Sequence, residues 1–459
     1  MVNLLLFWGI WLLVPMLIDG LAALTQVASI FWGEARSRRR IRADLAEAGV
    51  VPASRKSRKS GRPETALPQL TWFPLVTVIL PVHNGSLTLG RALESLARQT
   101  YPAECLEVVC VDNGSTDDSF EVFHEFQETA PGMRVVWIPV ERPGKSAALN
   151  AGIYASTGTY ILAVDADVRL HETAIYEMIR TFEFRPNLIA ATGAIEIERA
   201  EPSRSRFVTL LRACEAFEYL SAFRVGRRFQ SLRNSLYTLS GAFSAFRRQA
   251  LLEHSYLYDS LTVSEDTKLT FDIRDRARRR RPGATLECVD AAVAFVEPIP
   301  SLSALYSQRL RWQRGQVEVA ALHAEEQRGA FGAFRTMAGR ILLADHTLAF
   351  PRLVWTFLLP FLFLVGYSPA VVAGAIIAMY LAYAGIESLF FLTAYHFVDE
   401  DNRRWLRSMA WAPLVMPAYR FMVYWFRLAG LLHAVAEPQR WHTLPFGRRA
   451  QSGSRATRS

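Results

Sequence analysis

The stretch YILAVDAD, residues 160–167, decides the fold of this chain. It is an apolar run that ends in two aspartates, a pattern typical of a buried strand that leads into a polar crevice. Three similar runs precede it: PLVTVILPV (74–82), LEVVCVD (106–112) and RVVWIPV (134–140). Helical patterns separate them: LGRALESLARQ (89–99), DDSFEVFHEFQET (117–129) and GKSAALNAGIYAS (144–156). The alternation predicts an α/β fold with a mostly parallel sheet and helices on both faces.

Polar side chains cluster where these strands end. His83 and Asn84 follow the first strand, Asp112 and Asn113 the second, and Asp165 and Asp167 the fourth. The carboxyl ends of the strands in an open parallel sheet form its ligand crevice. We therefore expect these six side chains to share one pocket, although they lie far apart along the chain.

The two aspartates of the fourth strand suggest a metal site. Asp165 and Asp167 offer hard carboxylate oxygens that suit Mg²⁺ or Mn²⁺, and such an ion would also bind a diphosphate. A solvated turn with incidental acids is the alternative, and the position at a strand end favours the metal site. Lys145 lies at the helix start after the third strand. It is either exposed to water or a cation that would reach a nucleotide bound at the strand ends.

The segment SEDTKL, residues 264–269, has the pattern of a helix start. Ser264 is the predicted N-cap, and capping explains Ser264 completely and Glu265 in part. Asp266 is the candidate general base, because a hydroxyl nucleophile needs a carboxylate within hydrogen-bond reach to accept its proton. The basic run at 274–283 is interpreted as a solvated or headgroup-facing helix end without a catalytic role.

The composition indicates a soluble domain joined to membrane helices. The 459 residues are 51% hydrophobic and 21% charged, with a mean hydropathy of +0.11. The net charge of +9 fits a membrane-facing protein or one that handles phosphorylated ligands. The four cysteines show no CxxC spacing, which speaks against a disulfide framework or zinc site and favours a reducing compartment.

Several apolar segments are long enough to be membrane segments. They are residues 2–32, 351–368, 370–396 and 409–432. The basic residues between 36 and 62 place the following domain in the cytoplasm. Arg420 and Arg427 are costly in a bilayer, so 409–432 is interpreted as interfacial or re-entrant. We predict a multi-pass protein of the inner (plasma) membrane with a cytoplasmic catalytic domain.

The motif Gln308-x-x-Arg311-Trp312 follows the acidic motifs along the chain. A headgroup-facing basic helix with an interfacial Trp is the plain interpretation of this motif alone. Together with Asp112, the Asp165/Asp167 pair and Glu265-Asp266, it resembles the membrane-integrated inverting glycosyltransferases of family 2. These include the processive synthases of cellulose, chitin, hyaluronan and poly-N-acetylglucosamine. The resemblance covers roughly residues 72–320. Within this family, the chain is similar to the bacterial exosortase-associated members.

The resemblance implies a GT-A fold and a role for each matching residue. The donor nucleotide is expected at Pro81, His83, Asp112, Asn113, Lys145 and Asp165, and Mg²⁺ or Mn²⁺ at Asp167. Asp266 is expected to be the catalytic base with Glu265 in support. The acceptor and diphosphate are expected at Ser240, Gly241, Gln308, Arg311 and Trp312. The chain departs from many relatives at Gly85, Asn113 and Ser264, which occupy positions usually held by Glu, Asp and Thr.

The domain division follows from these motifs. We expect an N-terminal transmembrane helix (1–34), a basic cytoplasmic linker (35–70), a GT-A catalytic domain (71–300), interfacial helices with QxxRW (301–345), C-terminal transmembrane or re-entrant helices (346–433) and a basic tail (434–459).

The implied function is transfer of a sugar from a UDP-sugar to a growing β-linked polysaccharide, with inversion. The transfer is expected to be processive and coupled to secretion. One alternative is a single addition to a lipid acceptor, and another is a non-catalytic assembly or export subunit. The expected partners are the UDP-sugar, a polysaccharide or lipid acceptor, the bilayer and accessory secretion subunits, and no nucleic acid.

Overall fold

The computed structural model describes residues 14–47, 67–130, 132–141, 144–199, 203–253, 257–260, 262–327, 332, 334–346, 361–398 and 400–436. Eight strands form one sheet in the order β3-β2-β1-β4-β7-β6-β8-β5. Their bounds are β1 Val76–Val82, β2 Leu106–Asp112, β3 Arg134–Pro139, β4 Tyr160–Val164, β5 Arg169–Leu170, β6 Leu188–Ile197, β7 Phe243–Arg247 and β8 Thr285–Val296.

The first half of the sheet is the parallel block that the sequence predicts. Strand β1 pairs in parallel with β2 and β4, and β2 pairs in parallel with β3. The register sets Val82 opposite Asp112, so the two strands end at the same level. This half confirms the predicted α/β alternation and aligns the carboxyl ends of its strands.

The second half of the sheet is mixed rather than parallel. Strand β7 is antiparallel to both β4 and β6, β5 is antiparallel to β8, and β6 pairs in parallel with β8. Strand β7, at Phe243–Arg247, is not among the strands that the sequence predicts. The charged Arg247 is untypical of a buried strand, so the sequence does not indicate β7. In the structure, its guanidinium donates to Leu188 O, Phe182 O and Tyr160 Oη.

Fourteen α-helices are described in the ranges given above. Their bounds are α1 Leu21–Glu47, α2 Leu89–Ala97, α3 Ser119–Thr129, α4 Lys145–Ala155, α5 Ala174–Phe184, α6 Arg206–Tyr219, α7 Arg227–Leu232, α8 Arg248–Glu253, α9 Glu265–Arg280, α10 Leu302–Glu326, α11 Met337–His346, α12 Pro369–Phe397, α13 Glu400–Ser408 and α14 Ala412–Ala436. A π-helical turn, Val14–Gly20, leads into α1, and another, Leu220–Gly226, joins α6 to α7. Short 3₁₀ segments occur at Ala103–Cys105 and Leu362–Val365.

Apolar cores cover both faces of the sheet. Alternate residues of a strand point to opposite faces. Val78 of β1 packs into one core with Leu93 of α2, and Ile79 packs into the other with Leu149 of α4. Burial on both faces explains why the strands are continuous apolar runs rather than alternating ones.

Helix α14 carries the two arginines that made its membrane position costly. Arg420 donates two hydrogen bonds to the carboxylate of Glu387 of α12, one of them 3.1 Å long to Glu387 Oε2. Arg427 Nε donates to Gln313 Oε1 of α10 at 2.8 Å. Both charges are thus engaged by neighbouring helices, which reduces the cost of placing them in an apolar helix.

One helix among the described residues, α12, is long and apolar enough to cross a membrane. It matches the predicted segment 370–396. Residues 1–13 and 347–360, which hold much of two other predicted segments, lie outside the described residues, and α14 at 412–436 does not meet the same criterion. Helix α1 continues through the arginine cluster to Glu47, beyond the predicted boundary at 34.

Gly193 provides a test of the packing in the mixed half of the sheet. A Cβ at this position would lie 2.3 Å from the Phe243 ring and 2.6 Å from Ala292 O. We expect Gly193→Ala to lower the free energy of unfolding by about 1–3 kcal/mol through overpacking. The matched control is Gly90→Ala in α2, where the Cβ meets only an ordinary contact at 3.5 Å, and a change within about 1 kcal/mol is expected. Equal unfolding midpoints for the two variants would contradict the packing described here.

Candidate active site

The first edge of the candidate site is formed by the ends of β1 and β2. The backbone N–H of Asn113 donates to Val82 O at 2.8 Å, and His83 Nδ1 lies 3.0 Å from Asn113 O. The carboxylate of Asp112 accepts from Ser115 N at 2.8 Å. These contacts hold three of the predicted donor residues side by side at the ends of the strands.

Asn113 connects this edge to helix α4. Its side chain is buried, and its amide oxygen accepts from the N–H of Gly144, the residue before Lys145. One of the two acceptor positions of this oxygen is therefore used by the protein. Pro81, also predicted at the donor, is half-buried within β1 opposite Val111.

Lys145 joins the ends of β4 and α9. Its ammonium nitrogen lies 2.6 Å from Asp165 Oδ1 and 3.6 Å from Glu265 Oε1. The adjacent Asp266 accepts from the backbone N–H of Gly241 at 3.0 Å. Lys145, Asp165, Glu265 and Asp266, brought together around Gly241, are called the carboxylate cluster below.

Gly241 sits where the side chains of the carboxylate cluster converge. A Cβ on Gly241 would lie 3.3 Å from Lys145 Nζ, 3.6 Å from Asp266 Oδ2 and 4.0 Å from Asp165 Oδ2. A side chain at 241 would therefore fill the space between the cation and two carboxylates. The preceding residue, Ser240, is held by its N–H, which donates to Thr192 Oγ1 at 3.2 Å.

Burial and charge set the protonation of the carboxylate cluster. Burial raises the pKa of Glu265 and of Asp266, and Lys145 opposes this shift in both. The N–H groups of Gly241 and Thr267 also favour the ionised form of Asp266. Burial lowers the pKa of Lys145, but Asp165 and Glu265 outweigh it, so the net shift is upward and the lysine stays charged.

Asp167 differs from its neighbour Asp165 in exposure. The side chain of Asp167 is exposed, whereas Asp165 is half-buried and paired with Lys145. Mg²⁺ and Mn²⁺ sites are often built from one or two carboxylates completed by water and substrate phosphates. The residues present fit such an ion, with Asp167 as the open ligand and Asp165 beside it.

Helix α10 approaches the start of α9 through a glycine. A Cβ on Gly315 would lie 2.0 Å from Ser264 Oγ and 2.8 Å from Ser264 Cβ. Gln308, Arg311 and Trp312 precede Gly315 at intervals of seven, four and three residues, so all four lie on one face of α10. The QxxRW residues therefore lie on the face of α10 that contacts Ser264, the residue before Glu265.

The three QxxRW side chains have different surroundings. Arg311 is exposed, while Trp312 is half-buried, 6.3 Å from the Tyr219 ring and with the Arg309 guanidinium 4.5 Å above its own ring. The amide oxygen of Gln308 is buried, and no donor among the described residues bonds to it. One face of the indole is thus covered by Arg309, and any stacked ligand would have to use the other.

The structure corrects two interpretations of single residues. Ser264 occupies the N-cap position of α9 but forms no side-chain cap hydrogen bond, because its side chain faces Gly315 instead. Arg274 does not belong to a solvated helix end, since it is 7% exposed and donates to Asn234 O and Leu236 O. Both corrections depend on partners distant in sequence.

Three residues that support the site escaped the sequence analysis. Arg309, 5% exposed, bonds to Glu218 at 2.6 Å, and Gly315 provides the contact with Ser264. Arg227, 3% exposed, donates to Thr192, which in turn holds Ser240. Arg309 is one of two arginines within the QxxRW segment, and this was the only hint of its role in the sequence. The sequence did not show that Arg309 is buried and Arg311 exposed.

The comparisons with known proteins agree with this geometry. The segment 77–254 matches the family model Glycosyl transferase family 2. It contains β1 to β7 and the donor edge, whereas Glu265, Asp266 and the QxxRW helix follow it along the chain.

Two curated relatives cover a similar part of the chain. A poly-beta-1,6-N-acetyl-D-glucosamine synthase of Staphylococcus epidermidis is 28% identical over 246 residues, which are 53% of this chain and 55% of the relative. The synthase of the same description from Staphylococcus aureus strain COL is 27% identical over 245 residues, with the same shares of each chain. The chain thus matches about half the length of these relatives.

A solved structure supports the fold. The mannosyltransferase of Pyrobaculum calidifontis, described in complex with GDP-Man and Mn²⁺, superposes with a TM-score of 0.51 at 18% identity. The match covers 90% of this chain and 98% of that chain. The likeness confirms the predicted GT-A-like α/β fold.

The contact between α9 and α10 can be tested by a double-mutant cycle. Gly315→Ala forces a methyl group against Ser264, so we expect a lower unfolding midpoint despite the better helix propensity of Ala. Ser264→Gly removes the obstructing side chain and should itself cost only a few tenths of a kcal/mol, since glycine is tolerated at an N-cap.

The double variant should recover most of the stability lost by Gly315→Ala, with a coupling of about 0.5–3 kcal/mol measured by chemical unfolding. Ser303→Ala, on the exposed side of α10, is the control and should leave the midpoint unchanged. Additive effects of the two substitutions would show that the residues do not touch.

Proposed function

We propose that this protein is a membrane glycosyltransferase that transfers a sugar from a UDP-sugar to a growing β-linked polysaccharide with inversion. The observation that carries the proposal is the carboxylate cluster, in which Asp266 and Asp165 meet at Gly241. The family 2 match and the similarity to poly-beta-1,6-N-acetyl-D-glucosamine synthases support it. We further propose N-acetylglucosamine as the sugar, by analogy with these relatives.

Asp266 is the proposed general base. It deprotonates an acceptor hydroxyl, which attacks the anomeric carbon while the bond to the nucleoside diphosphate breaks. One displacement inverts the configuration, so an α-linked donor gives a β-linkage. Glu265, joined to Lys145, supports the base by keeping the local charge balanced.

The leaving diphosphate needs positive charge, which two side chains are proposed to supply. Lys145 lies at the strand ends and stays protonated, and exposed Arg311 is free to make charge-assisted contacts with phosphate oxygens. Mg²⁺ or Mn²⁺ held by Asp167, with Asp165 beside it, would neutralise the diphosphate further when bound. His83, Asp112 and Asn113 are proposed to hold the nucleoside.

The acceptor is proposed to lie between Ser240, Gly241 and the QxxRW face of α10. The unpartnered amide oxygen of Gln308 is an acceptor for a sugar hydroxyl, because a buried oxygen without a donor is costly. The face of Trp312 opposite Arg309 offers a surface on which a sugar ring stacks.

Membrane attachment through α12 is part of the proposal. Several of its large apolar side chains are exposed in the structure: Ile376, Ile377, Leu381 and Leu392. An apolar helix with such a surface is suited to lipid contact. The predicted multi-pass arrangement, cytoplasmic catalytic domain and secretion of the product stay predictions.

Replacing the proposed base separates chemistry from binding. We expect Asp266→Asn to lower kcat by about 10²–10⁴-fold while leaving UDP affinity within a small factor, since the amide keeps the shape but cannot accept the proton. The control is Asp118→Asn at the exposed start of α3, which should keep wild-type activity. Initial rates and calorimetric UDP titration measure the two effects. A variant that transfers sugar at the native rate would refute the base assignment.

The pH dependence tests the charge balance around Asp266. Because burial raises the pKa of Asp266, the base is protonated at a higher pH than a free aspartate, whose pKa is about 4. Activity should therefore decline on the acid side above pH ~4. Lys145→Met removes the opposing cation and should move this acid limb to still higher pH. A limb that does not move, measured at saturating donor, would contradict the coupling.

A panel of labelled UDP-sugars distinguishes the three functional alternatives. Membranes that contain the protein should form a ladder of polymer from UDP-N-acetylglucosamine, and membranes with the Asp266→Asn variant should not. One labelled lipid would instead identify a single-addition enzyme. No product from any donor would favour a non-catalytic assembly or export subunit.

A further inference from the structure

A second cluster of ionisable side chains lies away from the carboxylate cluster, where the later turns of α9 meet the end of α10. It consists of Asp275 on α9 and of His323 and Glu326 on α10. One ligand atom from each lies within 4.8 Å of the other two. Asp275 follows Asp266 by nine residues, or about 13 Å along the helix axis. The cluster is therefore distinct from the proposed donor-metal site at Asp167.

The histidine of this cluster is buried and unsatisfied. His323 is 1% exposed, and neither ring nitrogen has a hydrogen-bond partner among the described residues. The nearest carboxylate oxygen, Asp275 Oδ2, is 3.7 Å from Nδ1, which is too long for a hydrogen bond. The imidazole packs against the Phe271 ring, with centroids 4.4 Å apart. A buried imidazole without a partner calls for a ligand at its nitrogen.

The surrounding charge favours a cation. Lys268 bonds to Asp272 at 2.6 Å and to Glu326 at 2.8 Å, and Asp275 accepts from Gln327 Nε2 at 2.7 Å. Three carboxylates, those of Asp272, Asp275 and Glu326, thus lie near two cations, Lys268 and Arg276. The formal charge is one negative when His323 is neutral. A divalent ion would be held between the buried imidazole and two carboxylates, of which Glu326 is exposed to solvent.

We propose that Asp275, His323 and Glu326 bind a zinc ion that braces α9 against α10. One imidazole nitrogen and two carboxylate oxygens form a donor set that Zn²⁺ accepts, with water as the fourth ligand. Zinc–ligand bonds of about 2.0–2.2 Å separate tetrahedral ligand atoms by about 3.4 Å. The observed 3.7 Å between His323 Nδ1 and Asp275 Oδ2 needs only a small contraction. The site uses none of the four cysteines.

The brace would act on the geometry of the proposed active site. Helix α9 begins with Glu265 and Asp266, and α10 carries Gln308, Arg311 and Trp312. The two helices contact each other at Ser264 and Gly315. The cluster of Asp275, His323 and Glu326 would form a second connection between them. A single contact would leave one helix able to rotate relative to the other. Two separated contacts restrict that rotation.

Metal content of the purified full chain tests the proposal. The protein is stripped with a chelator, exposed to Zn²⁺ without Mg²⁺ or Mn²⁺, desalted and analysed by mass spectrometry for metal and by thermal unfolding. Wild type should retain one zinc per chain and unfold at a higher temperature with zinc than without it. Asp275→Asn, which preserves shape, and His323→Gln should lose both the zinc and the thermal shift.

Two further variants make the test specific. Lys268→Met frees Glu326 from its ammonium partner, so zinc affinity should rise by about tenfold or more. Asp167→Asn alters only the proposed donor-metal site and should retain the zinc. No retained zinc in wild type, or zinc that is lost in Asp167→Asn and kept in Asp275→Asn, would overturn the proposal. Neither result depends on glycosyl transfer, so the proposed function is tested separately.

Discussion

The ion pair between Lys145 and Asp165, with Glu265 close by, is the constraint on which the candidate site depends. The three residues come from the start of α4, the end of β4 and the start of α9. Without the ammonium group, neighbouring buried carboxylates would repel each other and take up protons. The fold must therefore deliver a lysine to this point, and Gly241 must leave room for it.

Helix α10 connects the carboxylate cluster to the rest of the molecule through its packing contacts. Gly315 allows it to touch Ser264 on one side, and Gly430 of α14 approaches Leu310 and Gln313 of α10 on another. Close approach at two glycines leaves little freedom for the helix that carries QxxRW. The half-buried Glu218 of α6 accepts from buried Arg309 of α10 and from Tyr419 of α14, the latter at 3.0 Å, and so links the three helices. The apolar end helices and the carboxylate cluster are thus parts of one packed structure.

The sequence was sufficient to predict the parallel half of the sheet. Strands β1 to β4 and the helices between them follow from local apolar periodicity, and their ends bring His83, Asp112 and Asp165 to one edge. The site roles inferred from the resemblance stay predictions. Strand β7 was missed because Arg247 looks like a surface residue until its carbonyl partners in the fold are known.

The contacts of Ser264 and Arg309 were equally inaccessible to the sequence. Each depends on a partner on another helix, Gly315 for the first and Glu218 for the second, and local periodicity carries no information about such pairs. The His323 cluster has the same origin, because its ligands come from α9 and α10 and show no motif spacing.

The central claim is that the strand ends, the start of α9 and the QxxRW face of α10 line one donor site. The most direct measurement is a cryo-electron microscopy structure of the full chain with UDP and Mn²⁺. We expect density for the ion at Asp167, for the nucleoside beside Asp112 and for the diphosphate within reach of Lys145 and Arg311. Nucleotide bound elsewhere, with Asp167 and Arg311 both free of ligand, would contradict the account.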